Sequence, residues 1–144
     1  SSRVMLDKQS PYLNSFILNS GTNKSIKKGM AVLDGKNFIG RIVDVNYFSS
    51  RVLLVSDLNS KIPVIIEPAG ANAILSGQGH NKYAELEYLP KLKKITKGDI
   101  VYTSGVDGII TEAIPIGKIF FKDEQMFVEF FVDFNQLKFV NINK

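Results

Sequence analysis

The sequence predicts an all-β fold of two small, related β-barrels packed together, and three observations carry that expectation. Eleven glycines and five prolines punctuate 144 residues at intervals too short for long helices. The segments between them are rich in Val, Ile, Phe and Tyr, the composition of many short strands. No segment reads as a crossover helix, which leaves antiparallel barrels or sandwiches. Finally, two blocks of sequence recur in the same order farther along the chain, as a duplicated unit would.

Taken in order, strands are expected at Tyr12–Leu18, Met30–Leu33, Phe38–Val45, Arg51–Val55 and Ile62–Glu67. They continue at Ala73–Ser76, Tyr83–Tyr88, Ile100–Thr103, Ile116–Lys122, Met126–Asp133 and Lys138–Ile142. Asp34-Gly35 separates the second from the third and suits a tight hairpin, where positive φ is needed. Asp57-Leu58-Asn59-Ser60 has the alternating oxygens that open a calcium loop but lacks its turn glycine and closing Glu. It reads instead as a side-chain-capped turn before Ile62–Glu67. Glu85 and Glu87 alternate along one strand and share its solvated face. Phe127, Phe130, Phe131, Phe134 and Leu137 fit helical spacing, while Met126, Val128, Phe130, Val132 and Phe134 fit a strand. The density of aromatic and β-branched residues favours the strand, with Phe127, Glu129, Phe131 and Asp133 on its mixed face.

The repeat pairs IKKGMAV at residues 26–32 with ITKGDIV at residues 95–101, identical at four of seven positions. Ile39-Gly40-Arg41-Ile42 is likewise matched by Ile116-Gly117-Lys118-Ile119. The offset is 69 residues for the first block (26 to 95) and 77 for the second (39 to 116), so eight extra residues fall within Thr103–Pro115. Gly29 and Gly98, and likewise Gly40 and Gly117, become equivalent structural turns. The expected division is a lead-in at 1–11, one barrel at 12–70 and a second at 71–144, with the last strand free to return to the first. A chain near 60 residues buries only about 60% of its unfolded surface, against about 68–70% near 150 residues. The two units should therefore share an interface or pass a strand between them.

Composition excludes several classes of chemistry. The chain has no cysteine and one histidine, so thiolate or multi-histidine metal sites, disulfides and cysteine nucleophiles are ruled out. No metal and no cofactor are expected. The net charge of +4 permits an anionic partner without requiring one. No run of 18 apolar residues and no signal-peptide pattern occurs. The chain opens on Ser1 and reads as a piece of something longer, so this describes the piece alone.

His80, Asp99 and Ser104 stand in the chain order of a chymotrypsin-like triad. The Gly-Asp-Ser-Gly-Gly context is missing, and His80 sits in the polar stretch Gly77–Lys82, where an imidazole is solvent-facing. Lys91, Lys93, Lys94 and Lys97 precede the second repeat, and Lys24, Lys27 and Lys28 the first, so a barrel binding single-stranded nucleic acid is the other alternative. Arginine is scarce (Arg3, Arg41 and Arg51) and no aromatic pair is interleaved, which favours a solvated basic rim. Binding energy on an interaction module comes from aromatic anchors. The candidates are Phe127 and Phe131 on the mixed strand face, and Tyr47 and Phe48 in a polar-flanked loop; the competing reading puts all four in a barrel core or the inter-barrel seam.

The stretch from Ser50 to Val64, SRVLLVSDLNSKIPV, resembles the signature region of the rod shape-determining protein MreC family. The resemblance continues through Lys28–Val32, Ile39–Val43, Leu86–Pro90, Gly98–Gly105, Ile114–Lys118 and Asp133-Phe134 with Leu137, covering nearly the whole chain. Thr111 and Ala113 stand where that family tends to have Pro and Gly, and Ser25 where Gly is frequent. The resemblance implies the extracytoplasmic two-barrel part of a longer protein, with a cytoplasmic tail, one membrane helix and a coiled coil ahead of the lead-in. It also implies a non-enzymatic scaffold of the cell-elongation machinery in rod-shaped bacteria. Such a scaffold self-associates, binds a class B penicillin-binding protein transpeptidase and works with MreD, RodA and MreB.

Overall fold

Strand alternation and tight turns build the molecule, a computed structural model that describes residues 2–5, 14–105 and 113–143. Twelve strands occur among these residues. The first six are β1 (Ser2–Met5), β2 (Ser15–Leu18), β3 (Ala31–Asp34), β4 (Asn37–Val45), β5 (Ser50–Leu54) and β6 (Lys61–Glu67). The second six are β7 (Ala71–Ser76), β8 (Tyr83–Glu87), β9 (Ile100–Thr103), β10 (Pro115–Lys122), β11 (Gln125–Phe130) and β12 (Phe139–Asn143). The β3–β4 hairpin turns at Gly35-Lys36, one residue beyond the expected Asp34-Gly35, because Asp34 still pairs with Asn37; Gly35 has φ 59°, the positive φ such a turn needs. Along β6, Ile62, Val64 and Ile66 are buried while Lys61 and Glu67 are exposed, the period-two pattern of a barrel wall.

Two closed antiparallel barrels result, ordered β1-β12-β3-β4-β5-β2 and β10-β11-β8-β7-β6-β9. The two duplicated units, β1 to β6 and β7 to β12, correspond strand for strand, but each gives its sixth strand to the other's barrel. β6 pairs with β7 and β9, and β12 pairs with β1 and β3. The division expected at residue 70 therefore needs correction. Residue 70 marks the end of a repeat, whereas the chain changes barrel at 55–60 and again at 131–138. β6, placed by sequence in the first barrel, completes the second; β1 lies in the stretch expected as lead-in and is a wall of the first. A hydrophobic alternation specifies a strand and its inner face but not which sheet it joins.

The backbone confirms the equivalence of the repeats. Gly29 N–H donates to Ile42 O at 2.7 Å and Gly98 N–H to Ile119 O at 2.8 Å. Ile42 N–H returns to Met30 O and Ile119 N–H to Asp99 O. Gly29 and Gly98 have φ of 95° and 90°, a region L side chains rarely occupy. Gly40 and Gly117, expected as turns, instead lie inside β4 and β10. A Cβ there would run into the carbonyls of Leu53 and Glu129 respectively, so close approach of the neighbouring strand dictates glycine.

Each barrel has its own core, and the two meet at a seam. Leu18, Val32, Ile39, Ile42 and Val52 fill the first with Val132 and Val140, which arrive on the returning chain. Ala31 and Phe38 of the first barrel pack instead with the second-barrel core of Val64, Ile66, Leu75, Ile116, Ile119 and Val128. Phe134 touches both cores. The strand expected over Met126–Asp133 ends at Phe130, because the chain there leaves the second barrel; Phe134–Gln136 then form a single 3-10 turn capped by the Asp133 carboxylate. At the other crossing Asp57, fully buried, accepts from Asn14 N–H, Asn59 N–H and Asn59 Nδ2. Tyr12 and Leu13 of the first expected strand, and Thr111, lie outside the described residues.

Candidate partner-binding surface

Three adjacent strands of the second barrel put aromatic rings on its outer wall. Phe120 of β10 lies directly opposite Phe127 of β11, and Tyr83 of β8 opposite Glu129. By alternation, Phe120, Phe127, Glu129 and Tyr83 point away from the core that receives Ile119, Val128 and Ala84. Phe120 stacks on Phe127 with ring centroids 5.4 Å apart. Tyr83 meets Phe127 edge-on at 4.8 Å, and exposed His80 meets Tyr83 at 4.1 Å. Such pairs contribute about 0.5–1.5 kcal/mol each beyond their buried area. An exposed ion pair, Lys118 to Glu129 at 3.6 Å, sits beside the rings and adds little by itself. The corresponding strands β2, β4 and β5 carry only Phe16 and Phe38, both buried in the cores. The outer aromatic cluster is thus a feature of the second barrel alone.

A groove runs beside this cluster between the β7–β8 connection and the segment leaving β11. Its walls include His80, Asn81, Tyr83, Phe131, Asp133 and Asn135. Asn81 Nδ2 reaches Asn135 Oδ1 at 3.3 Å, while Asn81 Oδ1 is buried with no donor. Phe131, one residue past β11, is 40% exposed; its N–H is held by Ile116 O. The shared strand face expected for Phe127 and Phe131 is corrected here. Phe127 is only 8% exposed and supports the stack, whereas Phe131, of the two, offers an open ring. Sequence reasoning missed Tyr83, Phe120 and Asn81; the cross-strand register that brings them together was the lacking signal.

On the first barrel, Tyr47 and Phe48 occupy the tip of the β4–β5 hairpin, 63% and 70% exposed, with rings 4.6 Å apart. The tip is braced by the turn at 21–24. Thr22 N–H donates to Asn46 O and Asn23 N–H to Tyr47 O, and a Cβ on Gly21 would strike Asn46 O.

The residues of the hydrolase alternative are not assembled. Asp99 and Ser104 flank β9 at opposite ends, separated by about 16 Å of extended chain. The Asp99 carboxylate is taken by Thr96 N–H and Thr96 Oγ1, while His80 rests on Tyr83. Lys24, Lys27 and Lys28 lie exposed in the β2–β3 connection, and Lys91, Lys93, Lys94 and Lys97 in its equivalent, β8–β9. Among the described residues no helix is long and apolar enough to cross a membrane.

Comparison with known proteins gives concordant results. Residues 4–144 match the family described as rod shape-determining protein MreC, barrel core. A cell shape-determining protein MreC of Cereibacter sphaeroides is 34% identical over 140 residues, 96% of this chain but only 46% of that protein. This chain thus spans under half the length of that curated relative. The crystal structure of MreC from Pseudomonas aeruginosa shares the fold, with TM-score 0.85 and 24% identity over 99% of this chain and 97% of that one. MreC in a solved complex of penicillin-binding protein PBP2 with MreC from Helicobacter pylori shares it at TM-score 0.65 and 18% identity, over 90% and 84% of the two chains.

Proposed function

Because this chain belongs to the MreC family of rod shape-determining proteins, we propose that it is a non-enzymatic scaffold in the cell-elongation machinery of a rod-shaped bacterium. The observation that carries this reading is the barrel-core match over residues 4–144, laid on two barrels whose recognisable features are surfaces rather than reactive groups. The proposed partner is a class B penicillin-binding protein transpeptidase. The complex of PBP2 with the Helicobacter pylori relative supports that choice. Self-association, cooperation with MreD, RodA and MreB, and a place on the extracytoplasmic side of the cytoplasmic membrane belong to the same proposal.

An adaptor shifts its partner's conformational equilibrium only by binding one conformer better than another. Here the ring proposed for such binding on the second barrel is Phe131, which lines the groove beside the wall formed by Phe127, Phe120 and Tyr83. Tyr47 and Phe48 offer a second contact on the first barrel. The test is crosslinking capture from native membranes with the full-length protein. The transpeptidase should be recovered, and Phe131→Ser should reduce its recovery without changing the melting temperature. Recovery of no cell-wall enzyme would overturn the reading.

A further inference from the structure

The duplication offers an internal control on which surface residues the fold itself requires. The β2–β3 and β8–β9 connections are equivalent: each spans twelve residues, 19–30 and 88–99. Each sends one isoleucine inward, Ile26 into the first core and Ile95 against the second. Each closes on the same glycine hydrogen bond, at Gly29 and at Gly98. At the outer positions they diverge. Where the first unit has Asn19 and Asn23, the second has Tyr88 and Leu92 at the same offset of 69. Leu92 is 99% exposed and Tyr88 is 83% exposed, the two most exposed large apolar side chains among the described residues. Tyr88 moreover holds φ 62°, a conformation asparagine accepts more readily. The left-handed non-glycine residue is Ser25 in the first connection and Tyr88 in the second, so a bulky aromatic is seated there at a cost.

Around Leu92 stand Lys91, Lys93, Lys94 and Lys97, all exposed and in no ion pair among the described residues. The connection's one acid, Asp99, is engaged by Thr96. We infer that the β8–β9 connection docks on an anionic lipid surface, Leu92 and Tyr88 entering the interfacial layer while the four ammonium groups face lipid phosphates. Charge complementarity selects an anionic occupant. The composition selects a bilayer: two apolar side chains among four lysines are too few to build a protein interface, whereas a bilayer needs no matching contour. A nucleic acid would use the lysines and stack a base on Tyr88, but would be indifferent to Leu92. This contact is separate from the proposed protein-binding surfaces, since it uses neither Phe131 nor the Tyr47–Phe48 tip.

The test is sedimentation of the 144-residue chain with vesicles of phosphatidylcholine, with and without about one third phosphatidylglycerol. Binding is expected only to the anionic vesicles, weakening as salt rises. Replacing Tyr88 and Leu92 together by the asparagines of the first unit should lower partitioning about tenfold with the melting temperature kept or raised. Each Lys→Gln change among the four should lower it about fivefold. Absence of binding to anionic vesicles overturns the inference, as does a Tyr88→Asn, Leu92→Asn variant that partitions like the parent. So does binding to single-stranded DNA that survives in a Leu92→Asn variant while vesicle binding is absent.

Discussion

Cutting the chain between its two repeats should abolish folding, whereas cutting it between its two barrels should leave one of them standing. Residues 71–144 comprise a whole repeat but lack β6, whose Ile62, Val64 and Ile66 are at most 2% exposed. Burying each contributes about 1.5–3 kcal/mol, so their loss removes about 5–9 kcal/mol, before counting the ladders to β7 and β9. A unit of this size has a total stability of about 4–11 kcal/mol, so the fragment has nothing left to fold with. Residues 59–132 retain β6 to β11 and lose the seam contacts made by Ala31, Leu33, Phe38, Val55 and Phe134. Circular dichroism with thermal melting should show a cooperative β-rich fold for 59–132 and a disordered chain for 71–144. A synthetic peptide of residues 59–69 should restore the second fragment. A cooperative melt of 71–144 alone would mean that β12 can replace β6 within its own repeat, and the exchange would not be a requirement of the fold.

Three further outcomes follow from local geometry. Ser25 and Ala113 have φ of 61° and 66°, so Ser25→Gly and Ala113→Gly should each raise the urea-unfolding free energy by about 1 kcal/mol by relieving left-handed strain; a loss of stability would refute that. Asp57→Ala removes the acceptor of three hydrogen bonds at the first crossing, two of them from backbone N–H groups to a buried carboxylate, which should cost about 2–4 kcal/mol in the same assay. Phe127→Ser should cost about 3–5 kcal/mol by opening the stack, while Phe131→Ser should leave the melt nearly unchanged and weaken partner binding by about 1–3 kcal/mol. Equal destabilisation by the two changes would remove Phe131 as an anchor.

The legibility of this fold divides along what periodicity can and cannot report. Ile62, Val64 and Ile66 announce a strand and its inner face by alternation, and Gly29 and Gly98 announce equivalent turns by sitting in matching blocks. Pairing is a different matter. Nothing in the residues of β6 distinguishes β5 from β7 as its neighbour, so the repeat boundary at residue 70 was the natural place to divide the chain. β1, four residues long, is too short for a periodic signal. The same gap hid the aromatic cluster: Tyr83 lies far in sequence from the Phe120–Phe127 hairpin pair, and only the register of β8, β11 and β10 makes the three neighbours. The left-handed residues Ser25 and Ala113 were visible only as departures from glycine in the family pattern, because a serine or alanine carries no local mark of positive φ.

Reciprocal exchange of β6 and β12 has a mechanical consequence that bears on the proposed scaffold role. Two barrels joined by one linker would swivel, and an interface spanning both would have to fix that freedom on binding, at a cost in affinity. Here the chain crosses twice, each crossing carries a strand that closes the other barrel, and Phe134 packs against both cores. Loss of either sixth strand opens both a wall and a seam, so the two barrels should melt as one transition despite having separate interiors. The Tyr47–Phe48 tip and Phe131 are then presented at a fixed mutual geometry, ready for a partner that touches both. Calorimetry checks the premise: a single peak whose van't Hoff and calorimetric enthalpies agree is expected. Two separable peaks would mean that each barrel unfolds alone and that the surfaces are not held in register.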